Sequence, residues 1–247
     1  RPPRSTLFPY TTLFRSLVGR APEDLVNQYG TYAEMLVALI NSEEKIFEFK
    51  TFNILDDEFP DDHLECDGWI ITGSPHGVYE ELPWMKTISQ LINDIYDAGL
   101  PILGVCFGHQ LIAQALGGDV EKSQTGWGLG LHTYQIDNKS GYMGNLAEEI
   151  TLNICHQDQV TSLPRGAVVY ARSDFCEYAG FYIKDKVLTM QAHPEFLVDF
   201  TKDLLNARRD VTIPKEFVDR AMVGLEDNPG LVQSNHFAET IRRFFLN

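Results

Sequence analysis

Apolar and polar positions along the chain alternate between two periods, which predicts strands and helices wound in turn. Residues 32–40 carry apolar groups at helical spacing, residues 45–52 and 67–72 read as strands, and residues 82–98 keep a long amphipathic repeat. A fully apolar run at 101–105 reads as an internal strand. It leads into a helical stretch at 111–116 that stops at Gly117-Gly118. Five strand-like segments then follow without a helix between them, at 129–136, 150–155, 167–173, 180–183 and 186–190. From residue 197 the pattern is helical again, broken at Pro214 and Pro229 and closed by a helix over 237–246. This order predicts an α/β fold with a doubly wound, mostly parallel central sheet, a small β-rich insertion and C-terminal helices. No repeat, low-complexity tract or flexible linker divides it. A single domain is therefore expected, with a core over about 17–200 and a helical extension over about 201–247.

The junction between the strand at 101–105 and the helix after it carries a distinctive group: Gly104-Val105-Cys106-Phe107-Gly108-His109-Gln110. Glycines on either side of Cys106 permit a tight strand-to-helix elbow, as G-x-S-x-G does for a serine nucleophile. The helix N-terminus favours negative charge on the sulfur, and the Phe107 N–H is placed to donate to an oxyanion. Taken alone, the same residues also fit a core cysteine beside two loop glycines. A second segment, Met190-Gln191-Ala192-His193-Pro194-Glu195-Phe196, follows another strand and puts His193 and Glu195 near its C-terminal end. Open α/β sheets build their sites at that edge. Cys106, His193 and Glu195 thus supply a nucleophile, a base and an acceptor that orients the base.

The two segments together resemble the class I, triad-type glutamine amidotransferases, and more narrowly stand-alone members similar to the amidotransferase part of GMP synthase. Three further stretches extend the likeness in order. Asp67-Gly68-Trp69-Ile70-Ile71-Thr72-Gly73-Ser74-Pro75 is similar to the family's strand and G-G-P-like loop, with Ser74 where the second glycine is expected. Thr125-Gly126-Trp127-Gly128-Leu129-Gly130-Leu131-His132 resembles its G-W-G-x-G-x-H segment, and Cys155-His156-Gln157-Asp158-Gln159-Val160 resembles its H-x-D-x-V loop. The resemblance implies a flavodoxin-like fold and a second oxyanion donor from Gly73 or Ser74. It also implies that Gln110 and the backbone around Gln157 and Asp158 hold the amide and amino-acid ends of the substrate.

The implied reaction is attack by the Cys106 thiolate on the side-chain amide of L-glutamine, protonation of the leaving ammonia by His193, and hydrolysis of a γ-glutamyl thioester. No S-G-G-x-D-S or G-x-x-x-x-G-K-[ST] loop is present to activate an acceptor with ATP, so ammonia would pass to a separate synthase subunit. Two other readings stay open. A γ-glutamyl peptide hydrolase would use the same triad, and a non-catalytic binding module would keep only the fold. The intact triad argues against the last.

Composition narrows the class further. The formal net charge of −15 argues against a nucleic-acid partner and places acidic groups on solvated faces. No apolar run is long enough to span a membrane and no secretory signal pattern is seen, so a cytoplasmic enzyme is expected. Cys66, Cys155 and Cys176 lack C-x-x-C spacing and read as packing residues. Neither a metal nor another cofactor is expected. Among the histidines, His109 is expected to point away from the nucleophile and His156 to serve loop architecture, while His132 and His236 read as surface or satisfied groups. Trp127 reads either as a substrate contact or as packing for the insertion, with packing favoured.

The first residues read differently. Leu7-Phe8-Pro9-Tyr10-Thr11-Thr12-Leu13-Phe14-Arg15-Ser16 resembles the translation of a short-read sequencing adapter, so residues 1–16 are expected to be a non-native leader. Only Leu17-Val18 would then remain of the first strand. Residues 11–18 have β-forming character, but Arg15 fits a central sheet badly and Pro9 limits extension.

Overall fold

A computed structural model describes residues 11–17, 19–42, 45–144 and 146–247. Strand β1 (Thr11–Leu17) precedes helices α1 (Glu23–Tyr29) and α2 (Tyr32–Ile40), then β2 (Phe47–Asn53), β3 (Gly68–Ile71), α3 (Pro83–Ala98), β4 (Ile102–Val105) and α4 (Phe107–Ala115). Seven strands follow: β5 (Asp119–Lys122), β6 (Gly128–Ile136), β7 (Glu149–His156), β8 (Asp158–Ser162), β9 (Val168–Arg172), β10 (Gly180–Ile183) and β11 (Val187–Met190). Helices α5 (Val198–Arg208), α6 (Lys215–Asp227) and α7 (Ser234–Leu246) close the chain.

Nine strands form one sheet in the order β2-β1-β3-β4-β11-β10-β9-β6-β7. Pairing is parallel from β2 to β11 and antiparallel from β11 to β7. The parallel half shows the two-residue period of a sheet covered on both faces. Trp69, Ile71 and Ile102 pack with Ile88, Ile92 and Ile95 of α3 and Ile112 of α4. Ile70 and Leu103, the residues between them, pack with Leu36 of α2 and Phe237, Ile241 and Phe244 of α7 on the other face. Helix α3 begins with Pro83 at its first position, ends at Gly99 in the left-handed region (φ 74°), and buries Met85, Ile88, Ile92 and Ile95 at helical spacing. Thr31 and Glu34 form a reciprocal capping box that starts α2. A third cluster joins Leu25 of α1, Leu204 and Leu205 of α5 and Val218 and Leu225 of α6 to Leu129 of the insertion.

The first-strand slot is filled by the segment whose β-forming character suits it: Thr11–Leu17 lies between β2 and β3 and pairs in parallel with both. The rest of the expected leader, residues 1–10, lies outside the described residues. The H-x-D-x-V loop is also partly strand, because Asp158–Ser162 pairs antiparallel with β5 in a separate two-stranded sheet. Both strands of that pair are short and mostly polar, and each turns a single valine, Val120 and Val160, toward the core, too few to leave an alternating pattern.

Candidate active site

Register brings the site together. Met190 pairs with Val105 and Ile71 with Gly104, so the loops after β3, β4 and β11 leave the sheet side by side at its C-terminal edge. Cys106 is the residue that turns from β4 into α4, with φ 52° and ψ −104°. Such a conformation costs a non-glycine residue about 1–3 kcal/mol and persists only where its surroundings hold it. Here they do. The Cys106 N–H donates to Met190 O at 2.9 Å and the Gly108 N–H to Thr72 O at 3.2 Å. A Cβ on Gly108 would stand 2.2 Å from Ile71 O, and one on Gly104 would stand 2.6 Å from the Gly108 carbonyl. The glycines on either side of the cysteine thus let the helix start press against the strands. The Phe107 N–H, in the open first turn of α4, is not taken by these backbone acceptors.

His193 follows β11 and is fixed from several directions. Its N–H donates to Asn153 O at 2.8 Å, while the Asn153 side-chain Nδ2 donates to Phe196 O at 2.8 Å. One residue of β7 therefore clamps both ends of the turn. The imidazole Nδ1 lies 2.7 Å from Glu195 Oε1, with both residues only 4% exposed. Phe196 stacks flat on the ring, with centroids 3.8 Å apart and planes 6° apart. With Nδ1 committed to Glu195, Nε2 is the nitrogen left to face Cys106, which lines the same small pocket. Burial opposes charge on this ring. The electrostatic pull of Cys106 and Glu195 outweighs it, and the His193 pKa is pushed up to about 10. Gly73 backs the pair closely: a Cβ there would lie 2.9 Å from His193 Cε1 and 3.8 Å from Cys106 Cβ.

A cleft of about 530 Å³ runs past the sulfur and is lined by Ser74, Cys106, Gln110, Gln157 and Asp158. Gln110 Nε2 donates to Asp158 O at 2.8 Å and to Gln191 Oε1 at 3.0 Å. His156 Nδ1 meets the same Asp158 carbonyl at 3.1 Å, so it ties the loop as expected. Gln157 O accepts the Ser123 N–H at 3.0 Å, and the Asp158 carboxylate accepts the Tyr79 hydroxyl at 3.1 Å. Burial raises the Asp158 pKa. Gly73 and Phe107 offer backbone rather than side chain, since the Phe107 ring packs against Trp84 at 5.7 Å. His109 points away as expected, with Nδ1 2.9 Å from Thr189 Oγ1 and its ring against Phe181. His236 is exposed and His132 packs on Phe175.

Four residues extend the reading of the sequence or were missed by it. Trp127 lines the cleft as well as packing the insertion, and Cys155 lines it beside Cys106 rather than serving only the core. Arg208, at the end of α5, also faces the cleft, and nothing in its own surroundings in the sequence marks it. Tyr32 completes that wall, its ring 5.6 Å from Phe196.

Comparison with known proteins agrees with this geometry. The profile described as glutamine amidotransferase class-I matches residues 24–206. Gamma-glutamyl peptidase 4 of Arabidopsis thaliana is 34% identical over 185 residues, 72% of this chain and 73% of that protein. The glutamine-hydrolyzing GMP synthase of Bacillus anthracis is 34% identical over 171 residues, covering 69% of this chain but 29% of that longer protein. Among solved structures, a glutamine amidotransferase of Thermotoga maritima superposes with a TM-score of 0.74 at 20% identity, over 96% of this chain and 99% of that one. An elbow cysteine at the sheet's C-terminal edge, on a chain whose profile match spans most of its length, has one consistent explanation: the protein belongs to the class I glutamine amidotransferase family.

Proposed function

We propose that the chain hydrolyses a γ-glutamyl amide through a thioester on Cys106, with L-glutamine as the simplest substrate. The observation that carries this reading is the buried His193–Glu195 pair, 2.7 Å apart, set beside a cysteine on a strained elbow. The Cys106 thiolate attacks the amide carbon and the carbonyl electrons move to oxygen. The Phe107 N–H and an N–H from Gly73 or Ser74 stabilise that oxyanion. His193 then gives its Nε2 proton to the leaving nitrogen, the C–N bond breaks, and an amine or ammonia departs. A water that loses a proton to His193 attacks the thioester, releasing glutamate and restoring the thiolate–imidazolium pair. Glu195 holds the imidazole tautomer throughout. Gln110, Gln157 and Asp158 receive the amino-acid end of the γ-glutamyl group.

With glutamine as substrate, the ammonia would pass to a separate acceptor enzyme, a reading supported by the likeness to part of a GMP synthase. A second reading, cleavage of γ-glutamyl peptides, is supported by several relatives named gamma-glutamyl peptidase, two of them at 34% and 31% identity. Glutamate release from L-glutamine and from γ-glutamyl dipeptides, with a Cys106→Ala control, tests the proposal. Release that the control abolishes is the expected result, and a γ-glutamyl adduct on Cys106 should be seen by mass spectrometry after acid quench. Release that persists in Cys106→Ala, or a folded protein that turns over neither substrate class, would count against it.

A further inference from the structure

The water that hydrolyses a thioester on Cys106 must touch His193, which takes its proton, and must also reach the carbonyl carbon. His193 does not line the large cleft. It borders a smaller pocket of about 10 Å³, together with Tyr32, Phe196 and Leu204, which do not line the cleft either. Cys106 and Ser74 line both spaces, so the sulfur stands at their boundary. A volume of this order is about what one water needs, and a water held there needs at least two polar partners. Phe196 and Leu204 are apolar walls. Of the residues that line this pocket and not the cleft, His193 and Tyr32 carry the polar groups.

The Tyr32 hydroxyl is set to be the second partner. Tyr32 is the first residue of α2 and is 3% exposed, with its ring centre 6.5 Å from that of His193. Phe196 at 5.6 Å and Phe200 at 6.3 Å hold the ring from two directions. Its oxygen accepts from Arg208 Nη2 at 3.3 Å, which leaves the O–H proton to be given. Burial pushes the Tyr32 pKa up to about 12, so that proton is retained at neutral pH.

Resting on the hydrolase reading above, we infer that Tyr32 positions the hydrolytic water in this pocket, its hydroxyl donating to the water oxygen while the water gives a proton to His193 Nε2. The remaining lone pair then faces the thioester carbonyl. As the O–C bond forms, the carbonyl electrons move to oxygen; when they return, the C–S bond breaks and the Cys106 thiolate leaves. The γ-carboxyl group of the released glutamate gives its proton to solvent. Attack by Cys106 on the amide uses no water, so Tyr32 acts on the second half of the reaction.

Tyr32→Phe removes the hydroxyl and keeps the ring. With L-glutamine, deacylation should slow by about 10- to 100-fold, the scale of a misplaced reactant, while acylation changes by no more than about threefold. The γ-glutamyl adduct on Cys106, read by mass spectrometry after acid quench, should therefore accumulate in the steady state. Hydroxylamine supplies a readout that is independent of acylation. It competes with water for the thioester and needs no base to expose its lone pair, so the ratio of γ-glutamyl hydroxamate to glutamate should rise by about 10- to 100-fold in Tyr32→Phe. A purely structural role would lower acylation and deacylation together and leave that ratio unchanged. An unchanged ratio, in a wild type that does form the adduct or the hydroxamate, overturns the assignment of Tyr32 alone. A folded wild-type protein that yields neither, or glutamate release that survives Cys106→Ala, overturns the hydrolase reading and this assignment with it.

Discussion

Two loops at the same edge of the sheet each carry a buried histidine, and the two rings have opposite electrostatic characters. His193 after β11 and His156 at the end of β7 are both 4% exposed, both engaged through Nδ1, and both beside a phenylalanine. Burial disfavours the charged form of each. In His156 burial prevails and the pKa falls to about 3, because Nδ1 meets only the backbone carbonyl of Asp158. In His193 the electrostatic pull of Cys106 and Glu195 reverses the outcome and raises it to about 10. A buried imidazole is thus a scaffold or an acid–base group according to the groups beside it, and the Asn153 clamp holds the turn that carries Glu195.

The largest effect should come from removing either member of the charged pair. Cys106→Ala or His193→Ala is expected to lower glutamate release by about 10⁴-fold or more, while His156→Gln stays within about tenfold, since its ring only ties a loop. Steady-state kinetics on proteins matched by circular dichroism check this, and comparable losses at His156 and His193 would break the contrast. Replacing the orienting anion should matter less. Glu195→Gln is expected to cost roughly 10²-fold in kcat and to lower the His193 pKa, which NMR titration of the ring can read. Gly73→Ala places a methyl 2.9 Å from His193 Cε1, so the ring must shift. A loss of about 10- to 100-fold in kcat is expected, with about 1–3 kcal/mol of stability measured by urea unfolding.

The smallest effects should appear in stability against pH. His193 has a folded-state pKa above its unfolded value of 6.5, so the stability it contributes is full below about pH 6.5 and is lost as pH rises through about 10. His156 and His109 are lowered by burial, each to about 3, so they bind fewer protons when folded and cost stability as pH falls below 6.5. Each imbalance contributes at most about 1.4 kcal/mol per pH unit. Urea midpoints measured across pH should show Glu195→Gln flattening the alkaline limb and His156→Gln flattening the acid limb. The reverse assignment of limbs would refute the electrostatic comparison.

Much of this was legible in the chain itself. The apolar run before Cys106, the flanking glycines and the helical stop at Gly117 are local signals, and β4 and α4 follow them closely. The amphipathic repeat over 82–98 likewise becomes α3 with its buried face at the spacing read from the sequence. The polar pair β5 and β8 was missed because each strand gives the core only one valine, Val120 and Val160, which imposes no period. Arg208 was missed because an arginine at a helix end reads as a solvated cation until the fold shows what it faces.

The sequence by itself determined the kinds of element and the chemistry at the two loops, because propensity, periodicity and glycine placement act over a few residues. Only the tertiary structure decided what meets what. The register of β11 on β4 aligns Met190 with Val105 and so brings His193 to Cys106, while Asn153 of β7 holds the turn that aims it. Thr11–Leu17 takes the slot between β2 and β3, and α5 carries Arg208 to the wall of the cleft that holds Cys106. These are pairings between segments far apart in the chain, selected by complementary surfaces that no local pattern encodes.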